Sequence, residues 1–152
     1  MIDRIMEIRV RKIPREQKEA VEIQCHAVTD TVKEIADFIK SRQGQLSCSM
    51  EGRQYEVLVG DVLYIESVDN KTFVYTAKQS YEIRQKLYEL EECLKEKRFL
   101  RVSKSSLLNL MKVVSIKPAL NGRFSAVLTN GEQIIISRKY VPDLKNTLKG
   151  GR

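Results

Sequence analysis

Residues 5–12, IMEIRVRK, set apolar positions against charged ones with the two-residue period of a half-buried strand. Pro14 and the charged run to Glu19 read as a loop, and Ala20 to Ala27 (AVEIQCHA) alternate again, which predicts a second strand. Thr31 and Glu34 stand at capping-box spacing, with Asp30 as the competing cap. Val32, Ile35, Ala36 and Ile39 then follow at helical spacing, and the helix should stop near Gln43-Gly44, where glycine accepts a left-handed cap. Residues 1–44 therefore read as a strand–strand–helix extension without a catalytic motif.

From Gln45 the texture becomes β. Strands are predicted at 45–51, 53–59, 62–67, 72–77 and 79–82. A helix at about 84–96 follows, with Ile83, Leu87, Leu90 and Leu94 as its apolar stripe and Glu91, Glu92, Lys95 and Glu96 as its wet face. The segment Phe99-Leu100-Arg101-Val102 comes next and is given no element. Residues 113–118, 123–129 and 132–137 form a predicted meander, turned at Asn121-Gly122 and Asn130-Gly131. Asn-Gly suits a type I′ turn because both central residues need positive φ. A short helix near 139–148 closes the fold. The pattern is mostly β with minor α. It lacks the alternation of a doubly wound sheet, and no helix-turn-helix pair lies near the basic residues.

At 152 residues, 42% hydrophobic and 31% charged, the chain suits one globular domain, or one with a short extension. No apolar run approaches the roughly 20 residues of a membrane helix. Asp3, Arg4, Glu7 and Arg9 are unlike a signal peptide, so a cytoplasmic protein is expected. Cys25, Cys48 and Cys93, odd in number and widely spaced, then read as buried reduced thiols.

Charge sharpens the picture. Residues 97–152 hold 12 Lys/Arg and two Asp/Glu, whereas residues 44–96 carry a net −4 within an overall +7. A cationic third of a folded chain is the footprint of a polyanion binder. Enzyme signals are weak. His26 is the single histidine, and in a strand it would face away from its neighbour Cys25. There is no P-loop, dinucleotide fingerprint, zinc-protease motif or cluster of metal ligands, so no enzyme, cofactor, metal or small-molecule substrate is expected. Tyr64, Tyr75 and Tyr81 read as core, with a stacking platform for single strands as the alternative. Asn70-Lys71, Arg101, Lys104, Lys112 and Arg138-Lys139 fall at element ends and turns, where they can reach outward to guanine edges or phosphates. An RNA or acidic-protein binding module is the alternative partner class.

Taken in order, VLYIESVDNKTFVYT, YEIRQKLYELEECL, FLRVSKSSLLNLMKV and LTNGEQIIISRKYVPDLK resemble the LytTR DNA-binding family, with matching order and spacing over residues 46 to 148. The resemblance implies an elongated, multi-stranded β domain at 45–149 with short helices. Its loops enter successive major grooves of double-stranded DNA and bend it, as in bacterial transcription regulators. Residue by residue, it brings Asn70, Lys71 and Thr72 to DNA from one loop, Lys104 and Ser105 from a second, and Arg138 and Lys139 from a third, with Lys112 a weaker candidate. Ser103-Lys104-Ser105 departs from the His-Arg-Ser or His-Asn-Ser frequent in the family, replacing planar readout with a point charge and leaving the base preference there open. With 43 residues before the match there is no room for a receiver domain, so the chain reads as a stand-alone regulator. Its extension, carrying the stripe Val32, Ile35 and Ile39, is expected to support homodimerisation.

Overall fold

The computed structural model describes residues 5–150. Within them a helix, α1 (Asp30–Arg42), leads into β1 (Gln45–Met50), β2 (Arg53–Leu58), β3 (Val62–Val68), β4 (Lys71–Thr76) and β5 (Ser80–Ile83). Helix α2 (Leu87–Leu94) follows, then β6 (Phe99–Ser103), β7 (Ser106–Asn109), β8 (Val113–Pro118), β9 (Phe124–Leu128), β10 (Gln133–Ile136) and α3 (Val141–Leu148). The strands form a seven-stranded antiparallel sheet in the order β2-β1-β5-β4-β3-β7-β6 and a three-stranded meander, β10-β9-β8. The mostly β architecture with short helices agrees with the sequence.

Two apolar cores share the large sheet. Leu46, Ile65, Val74 and Leu107 pack with Leu87, Leu90 and Leu94 of α2 in one. Leu63, Val102 and Leu108 pack with Ala126, Leu128 and Ile136 of the meander and Leu144 of α3 in the other. Adjacent strand residues point to opposite faces, so Leu107 and Leu108, both fully buried, enter different cores. Strand β7 is thus buried on both faces and has no polar–apolar alternation. That is why alternation does not reveal the 99–109 stretch, which forms a hairpin, β6–β7.

Several local expectations change. The strands predicted at 5–12 and 20–27 do not form; residues 5–29 have no regular structure and are almost entirely exposed. A strand needs a neighbour for its main-chain groups, and this chain supplies none there. Residues 1–4 of the extension lie outside the described residues. Cys25, expected to be buried, is exposed for the same reason, while Cys48 and Cys93 are buried free thiols. The cap of α1 is Thr29, whose hydroxyl accepts from the Val32 amide at 3.3 Å; Asp30 sits in the first turn, where its charge favours the helix dipole. The Asn121-Gly122 turn has both residues at positive φ, as expected. At the second turn only Gly131 does, after a β-turn closed by its amide on the Leu128 carbonyl. The tyrosines are half-buried in pairs: Tyr64 stacks on Tyr75 at 4.5 Å and Tyr81 tilts against Tyr55 at 5.5 Å.

Candidate nucleic-acid interface

Three turns are tied together by main-chain hydrogen bonds. The first joins β3 to β4 through Asp69 and Asn70, both left-handed at φ 50° and 65°, in a two-residue turn closed by the Val68–Lys71 pair. It presents Asn70 and Lys71 to solvent. Thr72, one residue further, faces inward beside Ser67 and Ile83 and is only 4% exposed, so it supports the hairpin and is closed to a partner.

The second turn, Lys104-Ser105, joins β6 to β7. The Ser103 hydroxyl accepts from the Ser105 amide at 3.2 Å, and the Arg101 guanidinium donates to the Lys104 carbonyl at 2.6 Å. Arg101 also donates twice to Glu91 of α2, at 2.9 and 3.2 Å, which straps the turn to the helix. Lys104 itself is exposed and Ser105 half-exposed. The Ser67 amide donates to the Ser105 carbonyl at 2.8 Å, so these two turns lie side by side.

The third follows β10. The Ser137 amide donates to the Val102 carbonyl of β6 at 2.8 Å, placing the exposed Arg138 and Lys139 next to the strand that carries Lys104. Lys139 lies 5.7 Å from the Tyr140 ring centroid. The Arg138 side chain crosses Gly122, where a β-carbon would sit 3.0 Å from its Cδ. That contact puts the β8–β9 turn, with exposed Arg123 after it, at the same end of the molecule.

Lys112 is separate. It lies beyond the other end of β7, its carbonyl accepting from Thr129, beside a depression shared with Gly44, Val59 and Lys97. At about 3.4 Å per residue, the stretch of β7 between Ser105 and Leu110 spans roughly 17 Å. The fold thus brings Asn70, Lys71, Lys104, Ser105, Arg138 and Lys139 to neighbouring turns, with Thr72 turned inward and Lys112 apart from them.

Sequence reasoning missed the strap role of Arg101 and the packing of Arg138 over Gly122. The Asn-Gly signal marked that turn but not its neighbour, and nothing in the spacing shows that Glu91 and Arg101 meet. Arg123, beside the same turn, carried no signal beyond its charge.

The cations of these turns are not held in internal ion pairs, although Asp69 shares the first turn with Lys71. Among the described residues Lys71, Lys104, Arg138 and Lys139 join no ion pair, whereas Arg9, Lys40, Arg84, Lys95 and Arg101 each do. Free cations on a rigid frame attract a polyanion without first breaking internal bonds. At the opposite end of β3, burial and a 3.1 Å hydrogen bond to Glu132 push the Tyr64 hydroxyl above the usual tyrosine range. Burial and Glu66 do the same to Tyr75, so the pair stays neutral and structural. No group of three or more metal-ligating side chains occurs among the described residues, and no described helix is long and apolar enough to cross a membrane.

A β framework that offers cationic turns at one end defines a nucleic-acid-binding class of scaffold. The profile of the LytTr DNA-binding domain matches residues 52–149, and the chain belongs to that family, whose members are DNA-binding regulatory modules rather than enzymes. The sensory transduction protein LytT of Bacillus cereus is 30% identical over 93 residues, which cover 61% of this chain and 38% of that protein. LytT of Bacillus subtilis is 28% identical over 110 residues, 71% of this chain and 46% of the relative, so the chain spans under half of either protein. An uncharacterized HTH-type transcriptional regulator of Staphylococcus aureus is 23% identical over 135 residues, 88% of this chain and 91% of its own length. A solved LytTr DNA-binding domain from Bacillus cereus shares the fold with a TM-score of 0.66 at 24% identity, over 69% of this chain and 96% of that one.

Proposed function

We propose that this chain is a transcriptional regulator that binds double-stranded DNA sequence-specifically, acting in the cytoplasm as a homodimer on paired half-sites. Arg138 and Asn70 read base edges in the major groove, where guanidinium and amide groups pair with two acceptors or with an acceptor and a donor. Lys71, Lys104 and Lys139 neutralise phosphates, and Ser105 donates to them. The observation that carries this reading is the pair of main-chain bonds, Ser67 to Ser105 and Ser137 to Val102, which hold three cationic turns in one frame.

The test begins with duplexes selected from a random library by the full chain. Arg138→Ala should then lose roughly 1–3 kcal/mol on the selected site and far less on scrambled DNA. Equal loss on both would reassign Arg138 to phosphate neutralisation. A failure to select any duplex, or a preference for single-stranded RNA over it, would overturn the reading.

A further inference from the structure

Helices α1 and α2, with residues 84–86 between β5 and α2, line a groove of about 460 Å³. Its rim is aromatic and open: Phe38 is 50% and Tyr88 68% exposed. Its acids outnumber its bases: Glu34 joins no ion pair among the described residues, Glu89 accepts the Lys86 amide at 2.7 Å, Glu92 offers one oxygen to Lys95 at 3.0 Å, and the buried Asp37 is taken by Arg84 at 2.8 Å. At its floor Gln85, only 8% exposed, gives its amide to Ser41, but its carbonyl Oε1 is buried without any hydrogen-bond partner. A buried acceptor left unpaired costs about 1–3 kcal/mol, so the groove lacks a donor.

The stretch before α1 has the opposite needs. Residues 5–13 carry Arg9, Arg11 and Lys12 against Glu7, and their apolar side chains lie bare: Ile5 is 75%, Ile8 87% and Val10 95% exposed. Their strand-like alternation finds no pairing within the chain. The groove wants apolar cover, positive charge and a hydrogen-bond donor; the arm offers all three.

We propose that the α1–α2 groove is the docking site for the 5–13 arm of a second copy, exchanged reciprocally so that two arms and two grooves make one two-fold interface. Ile8 and Val10 cover Phe38 and Tyr88, the basic residues of the arm meet Glu34 and the Glu92 oxygen that Lys95 leaves free, and a turn of the Gln85 side chain brings its unpaired Oε1 to an arm N–H. The proposal deepens the dimeric reading above and names its surface.

Sedimentation equilibrium of the full chain without DNA should show a dimer. Ile8→Asp with Val10→Asp should weaken it at least roughly tenfold, with thermal stability of the DNA-binding domain retained, because both side chains are solvent-exposed. Glu34→Lys with Glu92→Lys should weaken it similarly, and Arg9→Glu with Arg11→Glu should restore association to that charge-reversed groove. Mixing Val10→Cys chains with Tyr88→Cys chains should give a crosslink between chains under mild oxidation. A monomer at micromolar concentration would overturn the proposal. So would a dimer indifferent to both sets of substitutions, or a crosslink formed only when both cysteines share one chain. DNA binding by a monomer would sink this inference together with the homodimer reading but leave DNA binding standing, whereas a dimer that selects no duplex would sink the DNA reading and leave this interface standing.

Discussion

Arg101 shows how much of the interface rests on side chains that need never touch DNA. It is 18% exposed at the side chain and spends its donors on Glu91 and the Lys104 carbonyl. Arg101→Ala should cost about 1–2 kcal/mol in denaturant unfolding and reduce affinity for selected duplexes by roughly the effect of Lys104→Ala; Arg101→Lys, which cannot bridge both acceptors, should recover little. Unchanged DNA affinity would show that the turn holds itself. Cys48 provides a readout of the α2-facing core. Burial first, then Glu56 and Asp37, push its thiol from 9.0 up to about 12. The folded state holds that proton more tightly than the unfolded chain, so the stabilisation is complete below pH 9 and is lost as pH rises through about 12. Stability curves should fall across that window, and less steeply in Cys48→Ala after its own packing cost is subtracted. Native labelling with a maleimide at neutral pH should modify Cys25 first, because it is exposed and Cys48 and Cys93 are buried.

At the level of elements, the parts readable in the sequence were those with one wet face. The α2 stripe Leu87, Leu90 and Leu94, all buried, and the hairpins around Asp69-Asn70 and Asn121-Gly122 fall into this group, although the helix is shorter than the expected 84–96 and Ile83, expected on its stripe, is the last residue of β5. The β6–β7 hairpin was hidden because Leu107 and Leu108 leave no polar face to set a period. Alternation misled in the opposite direction at 5–12, where the pattern is present but no neighbouring strand exists within the chain. Leu107→Ala and Leu108→Ala should each cost about 2–5 kcal/mol in chemical denaturation. A half-exposed strand would instead show one costly and one nearly neutral substitution. The same logic explains the site. Asn70, Lys71, Lys104, Arg138 and Lys139 were legible as exposed turn residues, whereas Thr72 turns inward at the second position of β4. Lys112 lies apart from the other turns, and charge and turn location do not reveal which end of a strand a residue occupies.

For the whole molecule, the proposed interface joins Lys71 from the middle of the chain to Lys104, Arg138 and Lys139 from its cationic last third, and their charge should govern how binding responds to salt. The slope of log affinity against log salt should be steep, and replacing Lys71 or Lys104 with alanine should each reduce it by about 1. A slope unmoved by either substitution would place the phosphate contacts elsewhere. The frame behind those turns is built from backbone amides and carbonyls, from Ser67 to Ser105 and from Ser137 to Val102. Peptide groups are common to every amino acid except for the missing N–H of proline. The fingertips at 70, 71, 104 and 138 can therefore be exchanged without moving the hand that holds them. Related chains could address new promoters through a few point substitutions, and a designer could graft a different reading code onto this scaffold while leaving its grip geometry in place.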